Sequence, residues 1–295
     1  MNTLPTVEEQ CFDTPLGLLA ARIWGQYGSG IPILAIHGWQ DNAASHDRLI
    51  PLLMRSLGGQ RRVVAVDLPG HGFSAHKQDA TAYGLADYLT GLTALLGKLG
   101  WQRYILIGHS LGAALCACLA AVQPAEVAAL VMIDSVGPLT GRPGKVVSQL
   151  RHSLRRQRHW PRQHCFQSLE AMAVRRAKAG DLSLAAARIL VSRNYRKTTD
   201  GYIWRNDIKL RWLTPIYMSE AQIQDILGEV YAPTLIVRAN DGLLTNTDLV
   251  SARCRCLVKA SLIDLPGHHH LHLDDPQPVA FNITEFLNKH INVTD

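Results

Sequence analysis

The sequence lacks the segments that mark membrane and exported proteins. No apolar run reaches the roughly 20 residues that a helix needs to cross a bilayer. The first ten residues are acidic, and they have neither the basic start nor the apolar stretch of a signal peptide. We therefore expect a cytoplasmic protein without a transmembrane segment.

Cysteine is scarce and scattered, and the sequence has no internal repeat or low-complexity segment. None of the six cysteines belongs to a Cys-x-x-Cys pair. Cys116 and Cys118 lie two positions apart on a predicted helix, so they point to different faces. This pattern favours buried, reduced thiols over a disulfide framework.

Charge is distributed unevenly along a chain of otherwise globular composition. The 295 residues are 47% hydrophobic and 18% charged, enough for one large domain or a core with an insertion. Residues 138–228 hold 17 basic and 6 acidic side chains, whereas the rest of the chain is net acidic. The formal charge of +6 thus arises in one middle segment, which is a candidate separate unit.

Short apolar runs alternate with helical patterns along most of the chain. Such strands, apolar over nearly their whole length, indicate a parallel sheet that is covered on both faces. Two earlier runs flank a Thr-Pro-Leu-Gly turn and predict an antiparallel hairpin at the sheet edge. The eight predicted strands are 7–13, 18–24, 31–36, 62–67, 104–108, 129–134, 234–238 and 261–265.

The alternation stops after Asp134 and resumes at Ala232. Arginine-rich helical patterns over 168–179 and 182–192 fill this interval, without a convincing parallel strand. We expect an α/β core over 1–137 and 229–295, with a helical cap inserted at 138–228. Such a cap would cover the carboxyl edge of the sheet, where open α/β sheets keep their sites.

Gly108-His109-Ser110-Leu111-Gly112 is the most informative motif of the chain. An apolar run precedes it and an alanine-rich run follows it, so the sequence predicts a strand, a tight turn and a helix. The turn strains the serine backbone, and side chains in place of the two glycines would collide with the neighbouring strand and helix. The helix N-terminus favours developing negative charge, which makes Ser110 the candidate nucleophile.

A serine nucleophile needs a general base, and the base needs an acid to orient it. In this architecture the chain order is serine, acid, histidine. Asp241, in the loop after strand 234–238, is the preferred acid candidate, although Asp-Gly also marks ordinary turns. Asp134 ends the strand that follows the Gly108–Gly112 elbow, the tight turn that carries Ser110, and is the alternative acid.

Four histidines in five positions follow the last strand. His269 is the preferred base, and His268, His270 and His272 are expected to pack or hydrogen-bond around it. A Zn²⁺ or Ni²⁺ site is the competing interpretation. It lacks companion ligands at metal-binding spacing, so we expect no metal and no cofactor.

The oxyanion of an acyl-transfer intermediate needs two positioned N–H donors. Leu111, the residue after the nucleophile, supplies one candidate. The loop after the third strand supplies the other, because Gly38 permits close approach and Trp39 follows it. A simple turn at the strand end is the alternative interpretation of this loop.

With these parts assembled, the chain resembles α/β-hydrolase-fold proteins over nearly its whole length. The tail His269–Pro276 is similar to the family pattern His-x-x-His-Leu-Glu-x-Pro, with Asp274 in place of glutamate. Trp39 followed by Asp-Asn-Ala-x-Ser resembles the serine hydrolase-like proteins of this superfamily. The resemblance is carried by 37–53, by Asp-Leu-Pro-Gly-His-Gly-Phe-Ser at 67–74, by the elbow and by this tail.

The resemblance implies a triad of Ser110, Asp241 and His269 beneath a helical cap. A serine nucleophile argues against relatives that use aspartate, such as haloalkane dehalogenases and epoxide hydrolases. The expected reaction is hydrolysis of a small or medium carboxylic ester through an acyl-enzyme. Thioesterase, lipase, C–C hydrolase and perhydrolase chemistry, and a non-catalytic ligand-binding role, are the alternatives, because fold does not fix function.

The basic segment suggests an anionic substrate, although solvated helix faces explain it more simply. No nucleic-acid motif accompanies it, so nucleic acid is not an expected partner, and the sequence leaves the oligomeric state open. Residues assigned to the substrate pocket are His37, Gly38, His109, Trp160 and Tyr217.

Overall fold

The computed structural model describes residues 6–25, 30–59, 61–160 and 162–291. Residues 1–5, which belong to the stretch inspected for a signal peptide, lie outside the described residues. Within the described ranges, no helix combines the length and apolar character needed to cross a membrane.

Eight strands form one mostly parallel sheet, as the sequence predicts. Their order across the sheet is β1-β2-β4-β3-β5-β6-β9-β10. Strands β1 and β2 form the predicted antiparallel hairpin, β2 pairs antiparallel with β4, and all other neighbours are parallel. The strands are β1 Val7–Thr14, β2 Gly17–Trp24, β3 Ile33–Ile36, β4 Val63–Val66, β5 Tyr104–His109, β6 Val127–Ile133, β9 Thr234–Asp241 and β10 Ala260–His268.

Helices cover both faces of this sheet. Strands β3 to β6 are buried along their whole length, because each of their faces meets a layer of helices. One apolar cluster joins the sheet to α2, α3, α7 and α8, and a second joins it to α1 and α10. The helices are α1 Leu49–Ser56, α2 Leu85–Leu99, α3 Leu111–Val122, α4 Val146–Gln157, α5 Leu169–Gly180, α6 Leu184–Ser192, α7 Glu220–Gly228, α8 Thr247–Cys256, α9 Leu271–Asp274 and α10 Pro276–His290.

The segment between β6 and β9 forms helices α4 to α7 and a small hairpin. Helices α5 and α6 begin where the sequence predicts, and Ser168 and Ser183 cap them by accepting backbone N–H groups. The hairpin pairs β7 (Tyr195–Thr198) with β8 (Gly201–Trp204), so the insertion is not purely helical. A third apolar cluster, formed mainly by α5 and α6, contains Met172 and Leu190 and is separate from the two clusters of the sheet.

Helix α7 belongs to the sheet layer rather than to the insertion. Ile223 and Leu227 of α7 are fully buried in the apolar cluster that α3 shares with the sheet. We therefore place the end of the proposed cap before α7, earlier than residue 228.

The six cysteines are free, and their burial differs from the expectation. Cys116 and Cys118 are both buried, because α3 is enclosed on all sides. Cys11 is exposed, and the remaining three are partly exposed. Thus only two of the six thiols fit the prediction of burial.

Candidate active site

Ser110 occupies the sharp turn between β5 and α3 with φ of 52° and ψ of −114°. This region is unfavourable for a residue with a Cβ atom, so the turn holds the serine under strain. A Cβ atom at Gly112 would lie 2.0 Å from the carbonyl oxygen of Ile36, and one at Gly108 would lie 2.4 Å from the backbone nitrogen of Ala113. Both flanking positions therefore require glycine, as the motif predicts.

The imidazole of His269 is bound to the carboxylate of Asp134. Nδ1 of His269 lies 2.6 Å from Oδ2 of Asp134, at the ends of β10 and β6. The Nδ1–H donates to the carboxylate, which leaves Nε2 as the basic nitrogen. The ring of His269 also packs in a tilted arrangement against that of His109, the residue that precedes Ser110, with 4.5 Å between the ring centroids.

The carboxylate of Asp134 is held by backbone N–H groups near the end of β9 and in the loop that follows it. Ala239 N–H donates to Oδ1 at 3.2 Å, and Leu243 N–H donates to Oδ2 at 2.9 Å. Burial opposes ionisation of Asp134, but the hydrogen bonds from His269 and from these N–H groups lower its pKa below the ordinary value. The carboxylate of Asp134 is therefore ionised at neutral pH.

Asp241, the preferred acid candidate, does not contact His269 in this structure. It is an exposed residue at the last position of β9, paired in register with His268. The glycine that follows Asp241 leaves space for the carboxylate of Asp134, because a Cβ atom at Gly242 would lie 2.4 Å from Oδ2 of Asp134. The geometry therefore favours the alternative candidate, Asp134, over Asp241.

The other histidines of the tail have separate partners. His272 is fully buried and lies with Nε2 2.9 Å from Oγ of Ser45, whereas His268 is half-exposed beside Asp181 at 3.1 Å. His109 Nε2–H donates to the backbone carbonyl of His269 at 2.8 Å. Burial lowers the pKa of His109 to about 3, so its ring is a neutral support for the base.

Asp41, His109 and His270 form a buried group with ligand atoms within 4.8 Å of one another. The donor types suit a transition metal. However, Nη2 of Arg176 lies 2.5 Å from Oδ1 of Asp41 and 3.2 Å from Nε2 of His270. Burial opposes the ionisation of Asp41, but His270 and this guanidinium hold its pKa well below the usual range. Arg176 therefore supplies the positive charge that the carboxylate needs.

The candidate oxyanion donors lie on two segments, one that begins directly after Ser110 and one that approaches His109. Leu111 is the first residue of α3, and Trp39 follows Gly38 in the loop after β3. In the described part of the chain, neither backbone N–H has a hydrogen-bond acceptor. A Cβ atom at Gly38 would lie 2.8 Å from Nδ1 of His109, so only glycine fits there.

His71 positions this loop, a role that the sequence analysis did not assign. Gln40, which has a φ of 62°, donates its N–H to Nε2 of His71 at 3.1 Å. Asp67 accepts the N–H groups of Ala43 and Phe73, and so ties the loop to the segment 67–74. The Asp-Leu-Pro-Gly-His-Gly pattern could have indicated this positioning role, because its glycines and polar side chains are typical of a structured loop.

Three of the five residues assigned to the substrate pocket are neighbours, because Nδ1 of His37 lies 2.7 Å from the carbonyl oxygen of Gly38 and a Cβ atom at Gly38 would lie 2.8 Å from His109. His37 is fully buried and its Nε2 accepts the N–H of Leu68 at 3.0 Å. Trp160 is 60% exposed and packs edge-on against Trp212. None of His37, Gly38, His109, Trp160 and Tyr217 lines the large cavity described below, whereas Trp204 does.

The comparisons with known proteins agree with this fold. The family described as "alpha/beta hydrolase fold" matches residues 31–276, and the chain belongs to this family. A serine hydrolase-like protein of Danio rerio is 30% identical over 285 residues, covering 92% of this chain and 86% of the relative. An esterase of Mycobacterium tuberculosis is 29% identical over 255 residues, covering 83% and 76%.

A solved structure of a hypothetical protein from Pseudomonas aeruginosa PAO1 has the same fold. It superposes with a TM-score of 0.87 at 34% identity, covering 96% of this chain and 100% of that one. The relatives named serine hydrolase-like protein and esterase support a hydrolase activity for this chain.

Proposed function

We propose that the protein is a serine hydrolase that cleaves carboxylic esters with a triad of Ser110, His269 and Asp134. The observation that carries this proposal is the 2.6 Å contact between His269 and Asp134, with the His269 ring packed against His109, the neighbour of the strained Ser110. Strain of this kind concentrates at functional sites.

In the proposed reaction, Nε2 of His269 takes the proton of Ser110 as the hydroxyl oxygen attacks the ester carbonyl. The N–H groups of Trp39 and Leu111 bind the oxyanion, and the dipole of α3 favours the same charge. His269 then protonates the leaving alcohol and activates the water that hydrolyses the acyl-enzyme. Asp134 holds the ring in one tautomer throughout, and no metal or cofactor takes part.

The proposed site of action is the cytoplasm, with a small-molecule ester as the partner.

Hydrolysis of p-nitrophenyl esters from acetate to decanoate tests the proposal. Wild-type protein should release p-nitrophenol with an acyl-length optimum, and Ser110→Ala should retain less than about 0.1% of kcat/KM. Equal activity in wild type and Ser110→Ala would contradict an ester hydrolase with this nucleophile. Thioesters assayed in parallel separate esterase from thioesterase chemistry.

A further inference from the structure

The insertion and one loop of the core enclose a cavity of about 610 Å³. Gln40 forms the core side of the cavity wall, and Arg176 of α5 also lines the cavity. The rest of the wall comes from residues of the insertion between 162 and 211. The cavity is therefore next to the loop that carries the proposed oxyanion donor.

The wall of this cavity carries an excess of positive charge. Four arginines contribute to it, against one carboxylate, Asp207. That carboxylate is already engaged, because the hydroxyl of Tyr83 donates to it at 2.7 Å and Lys209 Nζ lies 3.4 Å away. Of the four arginines, Arg176 forms an ion pair with Asp41. The other arginines of the wall have no carboxylate partner among the described residues; they are Arg162, Arg175 and Arg211.

The same cavity has an apolar and aromatic side. Phe166 packs edge-on against Trp204, with ring centroids 5.4 Å apart. Ile208 and Leu210 continue this surface. The cavity therefore offers an apolar wall for a hydrocarbon chain together with guanidinium groups for a charged end.

We propose that the cavity binds the acyl chain of the ester substrate, and that this chain ends in a carboxylate or a phosphate. The inference rests on the proposed function of Ser110. Gln40 directly follows Trp39, and adjacent Cα atoms are about 3.8 Å apart, so a short chain reaches the cavity from the oxyanion site. The unpaired guanidinium groups attract and orient the anionic end.

The first test compares pairs of p-nitrophenyl esters of equal length, one with a terminal carboxylate and one capped as a methyl ester. Wild type should prefer the anionic ester by about tenfold or more in kcat/KM, and added NaCl should reduce this ratio. The ratio should fall to about one in Arg175→Gln/Arg211→Gln. A third ester that ends in a phosphate distinguishes the two sources of charge.

Arg155→Gln/Arg156→Gln is the matched control, because it removes the same charge from exposed positions of α4 outside the cavity. It should keep the wild-type ratio. Equal rates for the charged and capped esters, or a ratio that both double variants reduce alike, would overturn the proposal while leaving the esterase activity intact.

Calorimetry with suberate, a dicarboxylate that cannot be hydrolysed, provides a readout that does not depend on Ser110. Binding to wild type and to the α4 control, with loss in Arg175→Gln/Arg211→Gln, supports the cavity as an anion site even if no ester is cleaved. No binding to wild type, or equal binding to all three proteins, would overturn it.

Discussion

The backbone of Asp134 leaves the end of β6 with a φ of 48°, which is unusual for a residue that is not glycine. Its carboxylate is buried and receives the imidazole of His269 and two backbone N–H groups. The strain is offset by these hydrogen bonds to an ionised group. Asp134 is thus fixed in position before any substrate binds.

Replacing each aspartate separately distinguishes the two acids. Asp134→Asn should lower kcat/KM by a factor on the order of 10³–10⁴, because the amide favours the wrong tautomer of His269. Asp241→Asn should stay within about twofold of wild type, since Asp241 is exposed and forms no ion pair with His269. Steady-state kinetics with a p-nitrophenyl ester measures both, and a severe loss in Asp241→Asn alone would reverse the assignment.

The buried arginine–aspartate contacts give single residues a second role, in joining the insertion to the core. Arg193, after α6, binds Asp67 with Nε 2.9 Å from Oδ2, and both side chains are buried. Arg176 binds Asp41 in the same way. Each contact ends on a loop beside the site, so the insertion holds these loops in place.

At the scale of elements, the loop after β9 positions the carboxylate of Asp134 and does not itself provide the proposed acid. Gly242→Ala would place a Cβ atom 2.4 Å from Oδ2 of Asp134 and must displace the carboxylate. We expect a loss of kcat/KM of about tenfold or more, because small displacements of positioning groups cost rate.

Gly228→Ala is the control for this change, because a Cβ atom there meets nothing within 4 Å at the end of α7. It should leave kcat/KM unchanged. Unchanged kinetics in Gly242→Ala as well would show that the loop does not hold the acid. Kinetics and thermal melting of both variants together separate displacement of Asp134 from general unfolding.

The elements could be predicted from the sequence more completely than the site. The central strands are buried on both faces, so their apolar residues are nearly continuous and their positions are clear. The hairpin β7–β8 gave no such signal, because Tyr195–Thr198 contains Arg196 and Lys197 and is largely exposed. A short exposed hairpin has neither a clear period nor an apolar run.

The choice of acid could not be made from spacing, because β6 and β9 are neighbours in the sheet. Both strands end at the same edge, so both aspartates lie near the base. The direction of each side chain decides the contact, and it depends on the positive φ of Asp134 and on the fold of the 239–243 loop. Neither of these can be read from residue types alone.

On the scale of the whole molecule, the described fold buries several histidines in the neutral form. Burial lowers the pKa of His37 and His46 to about 4 and of His71 and His109 to about 3, and it lowers that of His272 well below its ordinary value. These rings are neutral when folded but take up protons near pH 6.5 when unfolded. Acid therefore favours the unfolded chain.

Stability should fall steeply as the pH drops from about 6.5 to 4. Each of these histidines contributes a loss of about 1.4 kcal/mol per pH unit below its unfolded pKa. Asp47 acts in the opposite direction, because burial raises its pKa to about 7 despite its contact with Arg22, but it is a single group. Urea unfolding midpoints measured from pH 7.5 to 4.5 test this expectation.

His46→Gln should make the same curve less steep, because it removes one of the buried rings that titrate only in the unfolded chain. A midpoint that stays constant between pH 7 and 5 in wild type would contradict the neutral burial of these rings.

An activated nucleophile at Ser110 should react covalently with a fluorophosphonate, and intact-protein mass spectrometry detects the adduct. We expect one adduct per chain, located by peptide mapping at Ser110, and no adduct in Ser110→Ala. Wild-type protein that stays unlabelled, or a label that persists in Ser110→Ala, would contradict it.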